Sequence, residues 1–213
     1  NYLYDDSRLT WDHNINIKGG TKALSYMVSG RYYQQKGVNR IEPDMFKSYN
    51  FRVKLQAEIK PWLTIASNTK FFQSNYKYYG YEDEYNNFRK PTLHALASFV
   101  PVNPDGTAVS HTSMTQSSTH YLMDGYSAMM QKGKSFGNKK TQEITTTFEA
   151  TFKLHKNFNV KADFSYTQGY LHNDYRSVNV QYSQYPGEVM TEPEGSFPNK
   201  YKEVVWDLSL IHI

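Results

Sequence analysis

The chain has 213 residues, enough for one large β domain. Hydrophobic residues make up 38% of it, mean hydropathy is -0.73 and no run of about 18 apolar residues occurs, which excludes membrane-spanning helices but not strands that are polar at every second position. A net charge of +4 without a basic stripe gives no footing for nucleic acid, and the absence of Cys removes disulfides, thiolate metal sites and Cys nucleophiles.

Residues 1–9 are polar and aromatic with no period. From Trp11 the chain alternates: Trp11, His13, Ile15 and Ile17 share one face of a predicted strand, and Asp12, Asn14, Asn16 and Lys18 the other. Gly19-Gly20-Thr21-Lys22 is a tight-turn signal. The second strand sets Leu24, Tyr26, Val28, Gly30 and Tyr32 against Ser25, Met27, Ser29, Arg31 and Tyr33, and Gln35 to Asp44 reads as a medium loop. The third strand is the sharpest. Tyr49, Phe51, Val53, Leu55, Ala57 and Ile59 are apolar or aromatic, whereas Asn50, Arg52, Lys54, Gln56 and Glu58 are polar or charged, a pattern that a helix would scatter round its axis. Lys60-Pro61-Trp62 stops it, since Pro cannot continue a ladder.

The fourth strand runs from Leu63 through Ile65, Ser67, Thr69 and Phe71. A long irregular region, about 74–140, follows; it is rich in Tyr early (Tyr76, Tyr78, Tyr79, Tyr81, Tyr85), with a short helix expected near Thr92–Phe99. An insertion of that length usually carries function. Alternation resumes at Thr141, with Ile144, Thr146, Phe148, Ala150, Phe152 and Leu154 against Glu143, Thr145, Thr147, Glu149 and Lys153. After a short turn at His155-Lys156-Asn157, Phe158, Val160, Ala162, Phe164 and Tyr166 oppose Asn159, Lys161, Asp163 and Ser165. A second long loop, about 168–200, is expected to hold an extended piece at Ser177–Ser183, before a last strand from Tyr201. The opening lacks an initiating Met and a basic-then-apolar leader, and the end looks like a strand just beginning; both point to a piece of a longer protein, with Leu210 to Ile213 expected to be either strand or foreign remnant.

Two environments suit such strands: a soluble sheet with its greasy face on a core, or a membrane barrel with lipid outside and water inside. Connection lengths separate them. Short (19–22, 60–62, 155–157) and longer (35–44, 74–140, 168–200) connections alternate, so an up-and-down sheet collects the short turns at one rim, as outer-membrane barrels do. Strands of this length exceed the usual soluble strand of about 5–6 residues. The expected fold is therefore all-β, an antiparallel up-and-down transmembrane barrel present as an open arc of about 6–8 strands. Its lipid face comprises Tyr49, Phe51, Val53, Leu55, Ile59, Phe148, Phe152 and Phe164. Its lumen face comprises Asn50, Arg52, Lys54, Gln56, Glu58, Glu143 and Glu149. Trp11, Tyr49, Trp62 and Phe158 are expected at the two membrane levels.

The runs His13-Asn14-Ile15-Asn16-Ile17-Lys18-Gly19-Gly20-Thr21, Tyr26-Met27-Val28-Ser29-Gly30-Arg31-Tyr32, Gln35-Lys36-Gly37-Val38 and Phe46-Lys47-Ser48-Tyr49-Asn50-Phe51-Arg52-Val53-Lys54-Leu55, with Pro61-Trp62-Leu63, resemble the barrel of TonB-dependent transporters of the SusC/RagA type from Bacteroidetes. Val100-Pro101-Val102-Asn103-Pro104-Asp105-Gly106 is similar to that family's Pro-rich segment, and the resemblance extends to about residue 170. It implies a 22-stranded outer-membrane barrel with a plug and TonB box, neither present in this sequence. It further implies TonB and a SusD-like lipoprotein lid as partners, and oligosaccharide or peptide as cargo. The runner-up is a secreted β-sandwich, either a carbohydrate-binding module or an adhesin; a β-rich hydrolase stands third without a catalytic set.

No enzyme activity, cofactor or metal site is expected. Ser67…Lys70 and Ser74…Lys77 both spell S-x-x-K, but on a strand the two side chains take opposite faces. The His residues show no ligand spacing, Glu82-Asp83-Glu84 lacks a calcium-loop pattern, and Glu143 and Glu149 are about 20 Å apart on one strand. The Tyr cluster at 76–85 is the candidate ligand site, because such rings stack on sugars; the plainer alternatives are loop packing and an outer aromatic girdle.

Overall fold

The computed structural model describes residues 4–40, 42–79, 104, 136–177, 181–182, 190–191 and 200–212. Among these residues nine strands follow one another: β1 Thr10–Gly20, β2 Leu24–Lys36, β3 Met45–Lys60, β4 Leu63–Tyr79, β5 Phe136–His155, β6 Phe158–Ser177, β7 Gln181–Tyr182, β8 Met190–Thr191 and β9 Lys200–His212. Seven form one open sheet in the order β1-β2-β3-β4-β5-β6-β9, and β7 pairs only with β8. Every pairing is antiparallel between chain neighbours, apart from the β6–β9 step over the β7–β8 ribbon. This is the up-and-down, unclosed sheet that the sequence predicts.

The short connections share one rim and are tied together. In the β1–β2 turn the Thr21 hydroxyl accepts from the Ala23 and Leu24 amides at 3.3 and 3.2 Å. Gly20 holds a φ of 154°, where an L side chain is strained and a Cβ would lie 2.2 Å from the Leu24 carbonyl oxygen. The Glu58 amide reaches the Ala23 carbonyl at 2.8 Å, and the Lys153 amide reaches the Trp62 carbonyl at 2.8 Å. Bulges precede the turns after β3 and β5, at Glu58/Lys60 and Lys153/His155.

The strands run further toward the opposite rim than the sequence reading allows. Residues Ser74–Tyr79 and Phe136–Lys140 belong to β4 and β5, so both ends of the expected loop 74–140 are strand. Gln168–Ser177 likewise continues β6, and Gln35–Lys36 completes β2. The cause is a change of side-chain chemistry: Asn75, Lys77, Asn138 and Lys140 occupy the face that is apolar lower down, and the two-faced signal disappears while the ladder continues. The expected extended piece at Ser177–Ser183 includes β7, and the last strand takes in Leu210 to His212. The helix expected at Thr92–Phe99 lies outside the described residues.

Direct partners share a face, so the register settles the two surfaces. One row reads Ile15, Gly30, Phe51, Phe71, Ile144; the next Ile17, Val28, Val53, Thr69, Thr146; the next Tyr26, Leu55, Ser67, Phe148, Phe164. No second layer covers this face among the described residues: Ile15 is 62% exposed, Phe51 48% and Phe148 51%. Among the described residues apolar burial is confined to Tyr78 and Tyr175, which lie on the opposite face near the long-connection rim. A sandwich requires these rows clasped against another sheet, and the geometry is the opposite.

Candidate functional site

The polar face carries the candidate site. Its rows include Asn16, Ser29, Arg52, Lys70, Thr145 and Thr167, and next to them Asn14, Arg31, Asn50, Phe72, Glu143 and Gly169. Both rows open into a recess of about 360 Å³. Arg52 and Lys70 are direct cross-strand partners, a like-charge pairing that costs stability unless something anionic approaches. The Arg52 Nε donates to Asn68 Oδ1 at 2.9 Å, which fixes the guanidinium toward the short-turn rim. Glu143 stands one row beyond Lys70, so the recess offers two cations and a carboxylate on adjoining rows.

Two of the other cations on this face are paired with carboxylates. Arg31 holds Asp12 through two hydrogen bonds, Nε to Oδ1 at 2.9 Å and Nη2 to Oδ2 at 2.7 Å. Lys161 meets Glu149 at 2.8 Å. Thr145 to Thr167 and Thr147 to Ser165 join β5 to β6 by hydroxyl contacts of 3.1 and 2.8 Å. A second recess of about 530 Å³ nearer the short turns is lined by Lys54, Gln56, Asn68 and Glu149 among others. Among the described residues the surface is thus a mixed-charge wall that sets Arg52 and Lys70 side by side.

The sequence-chosen residues sort as follows. Asn50, Arg52, Lys54, Gln56, Glu58, Glu143 and Glu149 all lie on the polar face; Asn50, Arg52 and Glu143 line the first recess, while Lys54, Gln56 and Glu149 line the second. Tyr49, Phe51, Val53, Leu55, Phe148, Phe152 and Phe164 lie on the apolar face, and Ile59 sits beside the β3 bulge, 52% exposed. The Tyr cluster divides. The Tyr76 hydroxyl donates to Asp44 at 3.1 Å and its ring stacks on Tyr78 at 5.6 Å. Tyr78 is 2% exposed and lies over Gly137, where a Cβ would meet its ring at 2.3 Å; its faces are packed rather than offered to a ligand. Tyr79 turns to the other face, beneath the Lys77 ammonium at 4.9 Å. Tyr81 and Tyr85 lie outside the described residues. The S-x-x-K pairs fall on opposite faces, Ser67 opposite Phe148 and Lys70 opposite Thr145.

Sequence reasoning set Asn14, Asn16 and Lys70 on polar faces by parity but left them out of the candidate residues, and only the register sets Lys70 against Arg52.

Rings mark the two ends of the apolar rows. Toward the long connections Tyr32 and Tyr49 are partners with centroids 5.2 Å apart, in a row that also holds Tyr170; the Tyr32 and Tyr170 hydroxyls reach Gln34 and His172 in the next row up. Trp11 lies in that next row. At the short-turn rim Trp62 stacks on Phe152 at 6.4 Å, with Phe158 and Leu154 beyond.

No family model matches the chain, and neither does any curated protein. Two solved structures share its fold. The RagAB peptide transporter matches with a TM-score of 0.59 and 20% identity over 87% of this chain and 20% of that one. The RagAB peptide importer in its "closed-closed" state matches with a TM-score of 0.60 and 13% identity over 99% of this chain and 30% of that one. The chain thus spans less than a third of either, and at such identity the likeness is one of fold.

Proposed function

We propose that the chain is an arc of an outer-membrane nutrient transporter of the TonB-dependent, SusC/RagA kind, with its apolar rows on lipid and its polar rows on a hydrated passage. The observation that carries this reading is the dimension of the uncovered apolar band. From Gln142 to Phe152 there are ten residue steps of about 3.3 Å, or about 33 Å along the strand. At the tilt of about 40° usual in membrane barrels this stands about 25 Å tall, the height of the lipid-facing band of such barrels. Rings bound it on both sides, with tyrosine hydroxyls leaning toward Gln34 and His172 of the next row up on the same face, as amphipathic side chains do at an interface. The bare edges of β1 and β9 suit a wall completed by further strands.

The cargo that best fits the recess is a peptide. Arg52 and Lys70 offer a carboxylate two point charges, and Glu143 stands where an ammonium would be received. A neutral oligosaccharide would leave the cation pair unbalanced. The fold likeness to a peptide transporter agrees with this choice. A lipoprotein lid over the long connections and TonB as the source of work complete the proposal.

Alternate-site labelling tests the membrane reading. Single cysteines replace Phe51, Arg52, Val53, Lys54 and Leu55 in a cysteine-free full-length transporter embedded in its membrane. A water-soluble maleimide should modify positions 52 and 54 and spare 51, 53 and 55. Uniform modification across the five positions refutes the assignment of faces. Uptake of peptides tests the recess: R52Q/K70Q should weaken uptake of peptides with a free carboxylate more than that of amidated ones.

A further inference from the structure

We propose that a groove on the outward face, just past the upper tyrosine row, binds the phosphate of an anionic glycolipid headgroup in the adjoining leaflet. The inference rests on the membrane reading above and adds a ligand to it. The groove measures about 530 Å³ and is lined chiefly by Lys47, Lys77, Lys140, Tyr170, His172 and Asp174. Its place in the sheet is fixed by register. Lys47, Asn75, Lys140 and His172 form the row immediately beyond Tyr49, Gln73, Gln142 and Tyr170, on the same face as Phe51 and Phe148. Where hydrocarbon ends, this face changes within one row from rings to cations.

Charge and order both point to an anion. Lys47 and Lys140 are two strands apart, about 10 Å, and both are half-buried. Among the described residues neither has an ion-pair partner. Lys77 sits diagonally between them, its ammonium 4.9 Å from the Tyr79 ring and 5.4 Å from the Phe136 ring, which restrains a flexible side chain in advance. The carboxylate in the groove, Asp174, is already occupied by Asn138 Nδ2 at 3.0 Å and by His172 at 3.4 Å. Lys47, Lys77 and Lys140 line one groove whose carboxylate is committed, so their charges repel one another unless a multiply charged anion intervenes, and a phosphate monoester supplies up to two charges with several acceptor oxygens. A lipid-borne phosphate fits the location better than a free one, because acyl chains below it would lie on the Phe51–Phe148 face.

The test is native mass spectrometry of the full-length transporter in detergent with bisphosphorylated lipid A, phosphate-free lipid A and inorganic phosphate as separate probes. Bisphosphorylated lipid A should stay bound, and K47Q/K77Q/K140Q should weaken it about a hundredfold, at roughly fivefold per lysine at a membrane surface. The charge-matched control K22Q/K60Q/K156Q, at the short-connection rim, should keep wild-type occupancy. Equal occupancy in the outward triple variant, or equal retention of phosphate-free lipid A or free phosphate, overturns the groove. If that happens while the cysteine pattern at 51–55 persists, the membrane reading stands without it. If the cysteine pattern is itself lost, both fall.

Discussion

Arginine in place of Phe148 should cost the folded transporter about 2–4 kcal/mol in a bilayer, the range for a cation near the midplane of a barrel's lipid face. The depth follows from the register. Phe148 lies six steps below Gln142, about 20 Å along the strand and about 15 Å down a band about 25 Å tall. Its ring is 51% exposed, so little packing is lost and the cost is desolvation of the guanidinium. The neighbouring Thr147 points to the polar face, where its hydroxyl meets Ser165 at 2.8 Å, and T147R should cost no more than about 1 kcal/mol. Leu154, beyond the Trp62–Phe152 pair at the rim, should accept arginine for about 0–1 kcal/mol. The assay is reversible denaturant unfolding of the full-length protein in liposomes, with wild type, F148R, T147R and L154R compared at one lipid composition. A steep order, F148R far below the other two, is expected. If F148R and T147R shift alike, the face is not in hydrocarbon and the reasoning fails; in water an exposed site would register within about 0.5 kcal/mol.

Three further outcomes are expected. Gly137→Ala should cost about 1–3 kcal/mol by driving a methyl into the Tyr78 ring, and a Tyr78→Leu background should recover much of that loss, so a double-mutant cycle in which the two effects simply add removes the contact. Gly20→Ala should cost about 1–3 kcal/mol and raise amide exchange along β1, because of the φ of 154° and the Leu24 carbonyl; unchanged exchange there would refute a strained turn. Asp5 is tied to Lys36 at 2.9 Å, a hydrogen bond that holds its carboxyl below the ordinary range, while its amide donates to Val38. A depressed folded value means that the tie is complete above the ordinary carboxylate pKa and is lost as pH falls through the lowered one. Protection of the Asp5 amide relative to a D5N variant should fade over that acidic window, and a pH-independent difference would exclude the tie.

The strands were legible where the two faces differ in kind. In β3 the contrast of Phe51, Val53 and Leu55 with Arg52, Lys54 and Gln56 leaves one reading. The upper ends of β4 and β5 were not legible because the chemistry of the faces inverts there: Tyr76 and Tyr78 pack on the polar side while Asn75 and Lys77 stand on the outward side. A rule that looks for grease on one fixed parity sees a loop. The candidate site was legible only in part for a related reason. Parity along one strand names Arg52 and Glu143, but the opposition of Arg52 to Lys70 depends on how β3 and β4 align. The burial of Tyr78 depends on Gly137, which no local pattern connects to it.

The Pro61–Trp62 and Lys156–Asn157 hairpins join strands whose two faces differ so much that alignment has only one tolerable solution in oil. Sliding β4 past β3 by a single position would thrust Lys70 and Asn68 among hydrocarbon tails and withdraw Phe71 into water. In aqueous surroundings the same slip forfeits only a little packing, because among the described residues no layer covers either surface. On the membrane reading proposed above, alignment would be proofread by insertion: before it the hairpins are free to shuffle among mispaired states, and afterwards they are locked. Chaperoning of the chain on its way to the bilayer would accordingly need to keep strands apart rather than help them find partners early.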